Sequence, residues 1–400
     1  MVTPPAMPDD SSATVSIRIV DSIARVDAAA WDACALAPEA AGNPFLCHAF
    51  LKALEDSRCL GKRTGWMPQY LVAETGDGAV QGVVPMFLKS HSQGEYVFDH
   101  GWAQAYERAG GQYYPKLQVS APFTPVPGPR ILTRPGPLSG QIADALIEAM
   151  IGIAKDNGIS SVNVTFCEED QWERLARHGF LKRQHYQFYW HNDGYRTFDD
   201  FLAALSSRKR KTIRKERQKV QRVGLTLSPL TGAEITPAYW DAFFAFYMDT
   251  AERKWGSPYL NRDFFHLLGE TMADRVVLIV AEADGTPVGG ALNLRGDEAL
   301  YGRNWGCVQT HAFLHFEACY YQAIDYAIAH GLKRVEAGAQ GEHKIQRGYL
   351  PTRTHSAHWI GDPRFRSAVD DYLRRERAGA ERDMEALAAF SPFRKADAEG

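Results

Sequence analysis

The chain has 400 residues, of which 45% are apolar, 23% charged and 12% aromatic, and its 45 basic and 48 acidic residues leave a net charge of −3. That is the length of two ordinary domains and the composition of a folded globular protein, which excludes a disordered chain, a collagen or a coiled coil as the main architecture. No overall charge excess argues for DNA or a membrane surface, and no apolar run approaches the roughly 20 residues of a membrane helix.

Residues 1–14 lack a basic start and an apolar core, so they read as a loose tail and not as a signal peptide. The six cysteines (34, 47, 59, 167, 307 and 319) form no CxxC pair. Isolated thiols without an export signal predict a reduced, cytoplasmic protein. Asn43-Pro44 reads as a helix cap followed by proline at the first helical position. Residues 71–88, LVAETGDGAVQGVVPMFL, read as a hairpin turning at Gly and Asp. The aromatic, Gly- and Pro-rich stretch 90–138 follows, too aromatic for disorder and long enough to be functional. A helix then stops at Asn157-Gly158 before the strand ISSVNV. RHGFLKRQHYQFYW, residues 177–190, reads as a short helix, a Gly-aromatic corner and a strand.

Beyond residue 195, FDDFLAALSS runs without Gly or Pro into SSRKRKTIRKERQKVQR, which predicts one continuous helix. Its basic part, 206–222, holds nine Lys/Arg and one Glu, a net +8, while the rest of the chain carries −11. Thr236-Pro237 and Asn261 read as further helix starts. Residues 279–294, IVAEADGTPVGGALNL, repeat the hairpin pattern. A helix from Glu317 stops at His330-Gly331 before LKRVEA, and QRGYLPTRTHSAHW, residues 346–359, repeats the corner and strand. Gly179 matches Gly348, Phe180 matches Tyr349 and Trp190 matches Trp359, with equal spacing. One unit is therefore written twice, as hairpin, helix, strand, short helix, corner and strand.

This order resembles the GNAT acyltransferase unit. Two units in tandem resemble the Fem-type peptidyltransferases and, most nearly, the FemAB-like N-acyltransferases labelled peptidoglycan-biosynthesis-like. The stretches that carry the likeness are NPFLCHAFLKALE, FDHGWAQAYERAGGQYYPKLQ, FLAALSSRKRKTIRKERQ, and VEAGAQGEHKIQRGY with the SAHWI that follows; the likeness as a whole extends from about residue 28 to residue 394. The resemblance implies two tandem GNAT-like α/β domains, 15–195 with the insertion at 90–138 and 196–400 with the basic helix at its start. Mixed sheets would be flanked by helices, with a cleft where strands splay apart beside the long helix. The pyrophosphate loop usual in GNAT proteins is missing, and CVQTHAFLHFEACYY stands in its place. No heptad-patterned helical arm is present either.

Candidate chemistry concentrates in EAGAQGEHKIQRGY, which leaves a strand through a Gly-rich turn, the place where ligands gather in α/β sheets. An amine nucleophile must be neutral, so a base near pH 7 is needed. His343 is the expected base, with Glu342 as alternate. Lys344 and Tyr349 are expected to stabilise the oxyanion and leaving group, and Lys344 fits the lysine that Fem-type enzymes carry before their last Gly-aromatic corner. The phosphate part of the donor is assigned to Arg208, Lys209, Arg210, Lys211 and Arg214, with Arg303 and Trp305 on the strand at the splay. The acceptor is assigned to Asp99, Trp102, Tyr106, Tyr113 and Lys116 of the insertion, with His315, Glu317, Glu336 and Gln340. The first copy has no His-Lys pair, which leaves the second as the working one. His311 and His315 lack a third ligand at metal spacing, so no metal is expected.

The function that follows is N-acyl transfer to a small-molecule or peptide amine. Acyl-CoA or aminoacyl-tRNA would be a co-substrate, and no cofactor would be held tightly. The alternatives are a Fem-like, aminoacyl-tRNA-dependent peptidyltransferase and a non-catalytic ligand-binding member of the fold. tRNA is a possible partner and DNA is not.

Overall fold

The computed structural model describes residues 15–37, 42–254, 258–338 and 341–394. The first half of the chain runs β1 (Val15–Val20), α1 (Ala28–Ala35), α2 (His48–Asp56), β2 (Trp66–Pro68), β3 (Tyr70–Thr75), β4 (Val80–Val84), β5 (Met86–Lys89), α3 (His100–Arg108), β6 (Lys116–Val119), β7 (Leu132–Thr133), α4 (Ser139–Asp156), β8 (Ser161–Cys167), α5 (Glu169–Arg177) and β9 (Leu181–His191). The second half runs α6 (Phe198–Ala204), α7 (Ser207–Arg222), β10 (Leu225–Thr231), α8 (Pro237–Lys254), α9 (Arg262–Thr271), β11 (Val276–Ala283), β12 (Thr286–Arg295), β13 (Ala299–Cys307), α10 (Leu314–Phe316), α11 (Gln322–Ala329), β14 (Arg334–Glu336), β15 (Leu350–Ile360) and α12 (Pro363–Ala388). A π-helical turn, Glu317–Tyr321, joins α10 to α11, and a 3-10 turn, Glu342–Arg347, leads into β15.

Local chemistry sets most of these boundaries. Asp284 and Gly285 take positive φ at the turn between β11 and β12, where the short chain reversal needs it. Asn261 caps α9 by accepting from the Phe264 amide at 3.0 Å. Two expectations fail. Asn43-Pro44 opens no helix: the Asn43 amide donates to the Pro127 carbonyl and its oxygen accepts from the Phe45 amide, so it fixes a turn, and α2 starts at His48. The helix expected to run unbroken through the basic segment is two helices. Leu205 is extended and fully buried, the Ser206 amide donates to the Pro392 carbonyl, and α7 starts afresh after Ser206. Burial of one leucine against the C-terminal segment outweighs helical continuity there.

The strands form a mixed eleven-stranded sheet, ordered β10-β11-β12-β13-β14-β9-β15-β8-β6-β5-β2, and a four-stranded sheet, β1-β3-β4-β7, with helices on their faces. Pro85 separates β4 from β5: β4 pairs with β3, β5 pairs with β6, and the sheet divides there because proline lacks the N–H that a continuing ladder needs. The final strands of the two halves are exchanged. β9 lies between β14 and β15, and β15 lies between β9 and β8. The largest core also crosses the halves, packing Phe45, Phe50 and Leu54 with Phe264, Phe265, Leu292 and Tyr301.

Candidate active site

The parallel pair β13–β14 holds register from Ala299 opposite Arg334 to Tyr301 opposite Glu336. Past that point β13 continues to Cys307, whereas the chain after Glu336 turns along β9: Ala337 N–H donates to the Phe188 carbonyl, and Phe188 N–H donates to that of Gly338, both at 3.1 Å. The strands part, and a cleft of about 430 Å³ opens between them. Its walls include Asn293, Arg303, Asn304 and Trp305 from β12 and β13, His315, Cys319 and Tyr320 from α10 and the π turn, and Gly341, His343 and Lys344 from the far side. Gly302 lets the walls approach, since a Cβ there would come 3.3 Å from the Glu336 carbonyl. Gly341 has φ +102, and a side chain on it would run into the His343 ring.

Lys344 is only 5% exposed. Its Nζ donates to the carbonyls of Ala337 and Gly338 at 2.5 and 3.2 Å, which closes off the end of β14. Burial pulls its pKa down to about 8. His343 is exposed on the cleft wall, with Nε2 3.1 Å from the Tyr320 hydroxyl. Partial desolvation on the cleft wall, then Arg347 and Lys344, hold its pKa below the usual histidine value, which favours the neutral ring. Desolvation pushes the Tyr320 phenol up, so it keeps its proton.

The equivalent opening in the first half is closed. There β6 and β8 pair from Leu117 opposite Val162 to Val119 opposite Val164. Beyond them Gly128 N–H donates to the Phe166 carbonyl, and the fully buried Arg130 donates to the carbonyls of Thr165, Val126, Gly128 and Pro129. Burial lowers the Arg130 pKa to about 10, still far above neutrality. The insertion thus fills one opening and leaves the other.

The model of the FemAB-like family, described as peptidoglycan biosynthesis/recognition, matches residues 22–395. The chain belongs to the FemAB-like family. No curated protein matches it. Solved structures with the same fold include FemX (12% identity, 86% of this chain and 98% of FemX covered, TM-score 0.55) and L-PGS from Bacillus licheniformis (10%, 80% and 95%, TM-score 0.50). A tandem GNAT protein from the clavulanic acid biosynthesis pathway aligns at 13% identity over 88% of this chain and 99% of its own, with a TM-score of 0.47. At such identities the likeness is one of fold: tandem GNAT-like units, mixed sheets flanked by helices. Family membership supports, at a coarse level, an acyl or aminoacyl transferase.

The FemAB-like cleft gathers some of the residues expected in it and not others. His343, Lys344, Arg303, Trp305 and His315 line it. The Arg303 guanidinium, however, donates to the Phe123 carbonyl of the first half at 2.6 Å, so it also ties the two halves together. Tyr349 is fully buried, and its hydroxyl donates to the Tyr320 carbonyl at 3.1 Å; it supports the cleft wall from behind. Glu317 turns away to Arg217, 2.9 Å away, and Glu336 is buried against Arg334 at 2.8 Å. Ala339 and Gln340, and the side chain of Glu342, lie outside the described residues.

Asp99, Tyr113 and Lys116 are turned inward, contrary to the expectation that they meet the acceptor. Lys116 is fully buried between Glu95 (2.7 Å), Asp99 and Ser92 (2.8 Å), and Tyr113 donates to Asp99 at 2.7 Å. Desolvated charges must pair, and these pair with one another. Trp102 and Tyr106 line a separate apolar groove of about 650 Å³ between α3 and α12. On α7, Arg208, Lys211 and Arg214 are exposed and Lys209 and Arg210 half-buried, beside the cleft and not within it; Arg214 meets Asp199 at 2.9 Å.

Sequence reasoning missed Asn293, Cys319 and Tyr320. Cys319 and Tyr320 face the cleft from the π turn, and nothing in their spacing marks a π turn. Among the described residues no three His, Cys, Asp or Glu side chains are placed to hold a metal, and no helix is long and apolar enough to cross a membrane.

Proposed function

We propose that this protein is an N-acyltransferase that moves an acyl or aminoacyl group from a phosphate-bearing donor to an amine in the cleft beside β13. The observation that carries this reading is the edge of β13 beyond Tyr301, left by β14 and facing His343 across the cleft. The amine nitrogen attacks the donor carbonyl carbon while His343 takes the proton the amine must lose. The oxyanion that forms would be met by Lys344 or by strand amides near Arg303–Trp305. Collapse breaks the bond to the leaving thiol or ribose oxygen, which receives the proton from His343. The exposed cations of α7 would hold the donor's phosphates.

Acyl-CoA should raise the melting temperature, since a ligand of the folded state stabilises it, and should shield Cys319 from alkylation. His343→Ala and Lys344→Ala should strongly lower transfer while donor still binds. Tight binding without turnover, with both substitutions altering affinity alone, would overturn the reading in favour of a non-catalytic binder. The exposed basic face of α7 favours a second donor, aminoacyl-tRNA. Its binding would fall steeply with salt, by a log–log slope of roughly −0.7 to −0.9 per phosphate contacted.

A further inference from the structure

We infer that Glu216 and Arg347 are positioning residues for His343, a buried bracket that fixes the 3-10 turn carrying the imidazole to the underside of the basic helix. The inference rests on the reading of His343 as the base.

Glu216 is the one acidic residue in the basic run, and it points inward. Arg347 Nη2 donates to both Glu216 oxygens, at 2.8 and 3.0 Å, and Nη1 donates to the His343 carbonyl at 2.8 Å. The Tyr321 hydroxyl donates to the same carboxylate. The guanidinium lies 3.4 Å from the centre of the Phe316 ring, and that ring lies 5.5 Å from the His343 ring. A planar guanidinium with several donors can hold a carboxylate, a carbonyl and an aromatic face at once, which lysine cannot. Among the described side chains, titratable and charged groups around this bracket come from four elements: Lys344 and Arg347 from the turn itself, His315 from α10, Cys319, Tyr320 and Tyr321 from the π turn, and Lys209 and Glu216 from α7. Pairing with Glu216 offsets part of the Arg347 charge felt by the ring. The base and the phosphate-binding helix therefore share one rigid support, so a donor bound on α7 meets His343 in a fixed place.

The test needs no substrate. The His343 ring is titrated by NMR in the full-length protein, its signal assigned by loss in His343→Gln. Glu216→Gln leaves Arg347 uncompensated, so the His343 pKa should fall further; Arg347→Gln removes the cation, so it should rise. Opposite shifts support the bracket, because a purely structural role predicts no such pair of signs. If Arg347→Gln does not fold, the isosteric Glu216→Gln decides alone. An unchanged His343 titration in folded Glu216→Gln overturns the inference. Absence of acyl transfer in the wild type would overturn only the functional reading, since the titration is measured independently.

Discussion

Lys344 holds its ammonium against two backbone carbonyls with little water around it, and its pKa of about 8 follows from that burial. Its folded value lies below its free-chain value of 10.5. Between about pH 8 and pH 10.5 the unfolded chain therefore binds more protons than the folded one, and Lys344 contributes rising stability across that window. Transfer should follow a bell-shaped profile. The acid limb, below pH 6.5, reports loss of the neutral His343, and the alkaline limb, near pH 8, reports loss of the Lys344 charge. Lys344→Met should abolish the alkaline limb in whatever activity remains, which a pH–rate profile would read directly. The place of His343 and Lys344 on the cleft wall was legible in the sequence because a Gly-rich turn after a strand brings side chains to the sheet's open end. Asp99 and Lys116 misled for an equally physical reason, since sequence does not tell an ion meant for a ligand from one meant for a buried partner. Lys116→Met should cost about 3–5 kcal/mol in urea denaturation, the range for breaking a buried ion pair.

At the scale of elements, α7 divides its charge between two tasks. Ile213, Glu216 and Val220 are buried, and Arg217 reaches Glu317 and Asp325 at 2.9 and 2.7 Å, so one face is anchored. Arg208, Lys211, Lys215, Lys219 and Arg222 remain exposed. Replacing Arg208 and Lys211 together by alanine should weaken donor binding about tenfold, near 1.4 kcal/mol, with little change in turnover and a shallower salt dependence; equilibrium binding across a salt series measures both. The net charge of this segment was plain in the sequence. Its break at Leu205 was not, because the competing contact lies with Pro392 and Phe393, nearly two hundred residues away. The closure of the first opening by Arg130 was equally hidden, although the length and aromatic content of the insertion marked it as an ordered segment.

Across the whole molecule, exchange of β9 and β15 means that neither half can complete its sheet alone. Residues 15–195 would expose both edges of β9, and residues 196–400 would lose the strand between β14 and β15. Unpaired edges of this kind favour aggregation. Each half expressed singly should be insoluble, whereas the two coexpressed should assemble; gel filtration and circular dichroism would check this. The shared core of Phe45, Phe50, Phe264 and Leu292 adds apolar surface that a separated half would leave in water.

The duplication, the hairpins, the Gly-aromatic corners and the His-Lys turn were determined by sequence alone, because each is a local pattern of turn chemistry and strand periodicity repeated at equal spacing. Which strand neighbours which, which opening stays open and which charges face one another were decided only by the tertiary structure. Those outcomes depend on pairings between residues far apart in the chain, whose energies come from shared burial and mutual hydrogen bonding, and no local segment encodes them by itself.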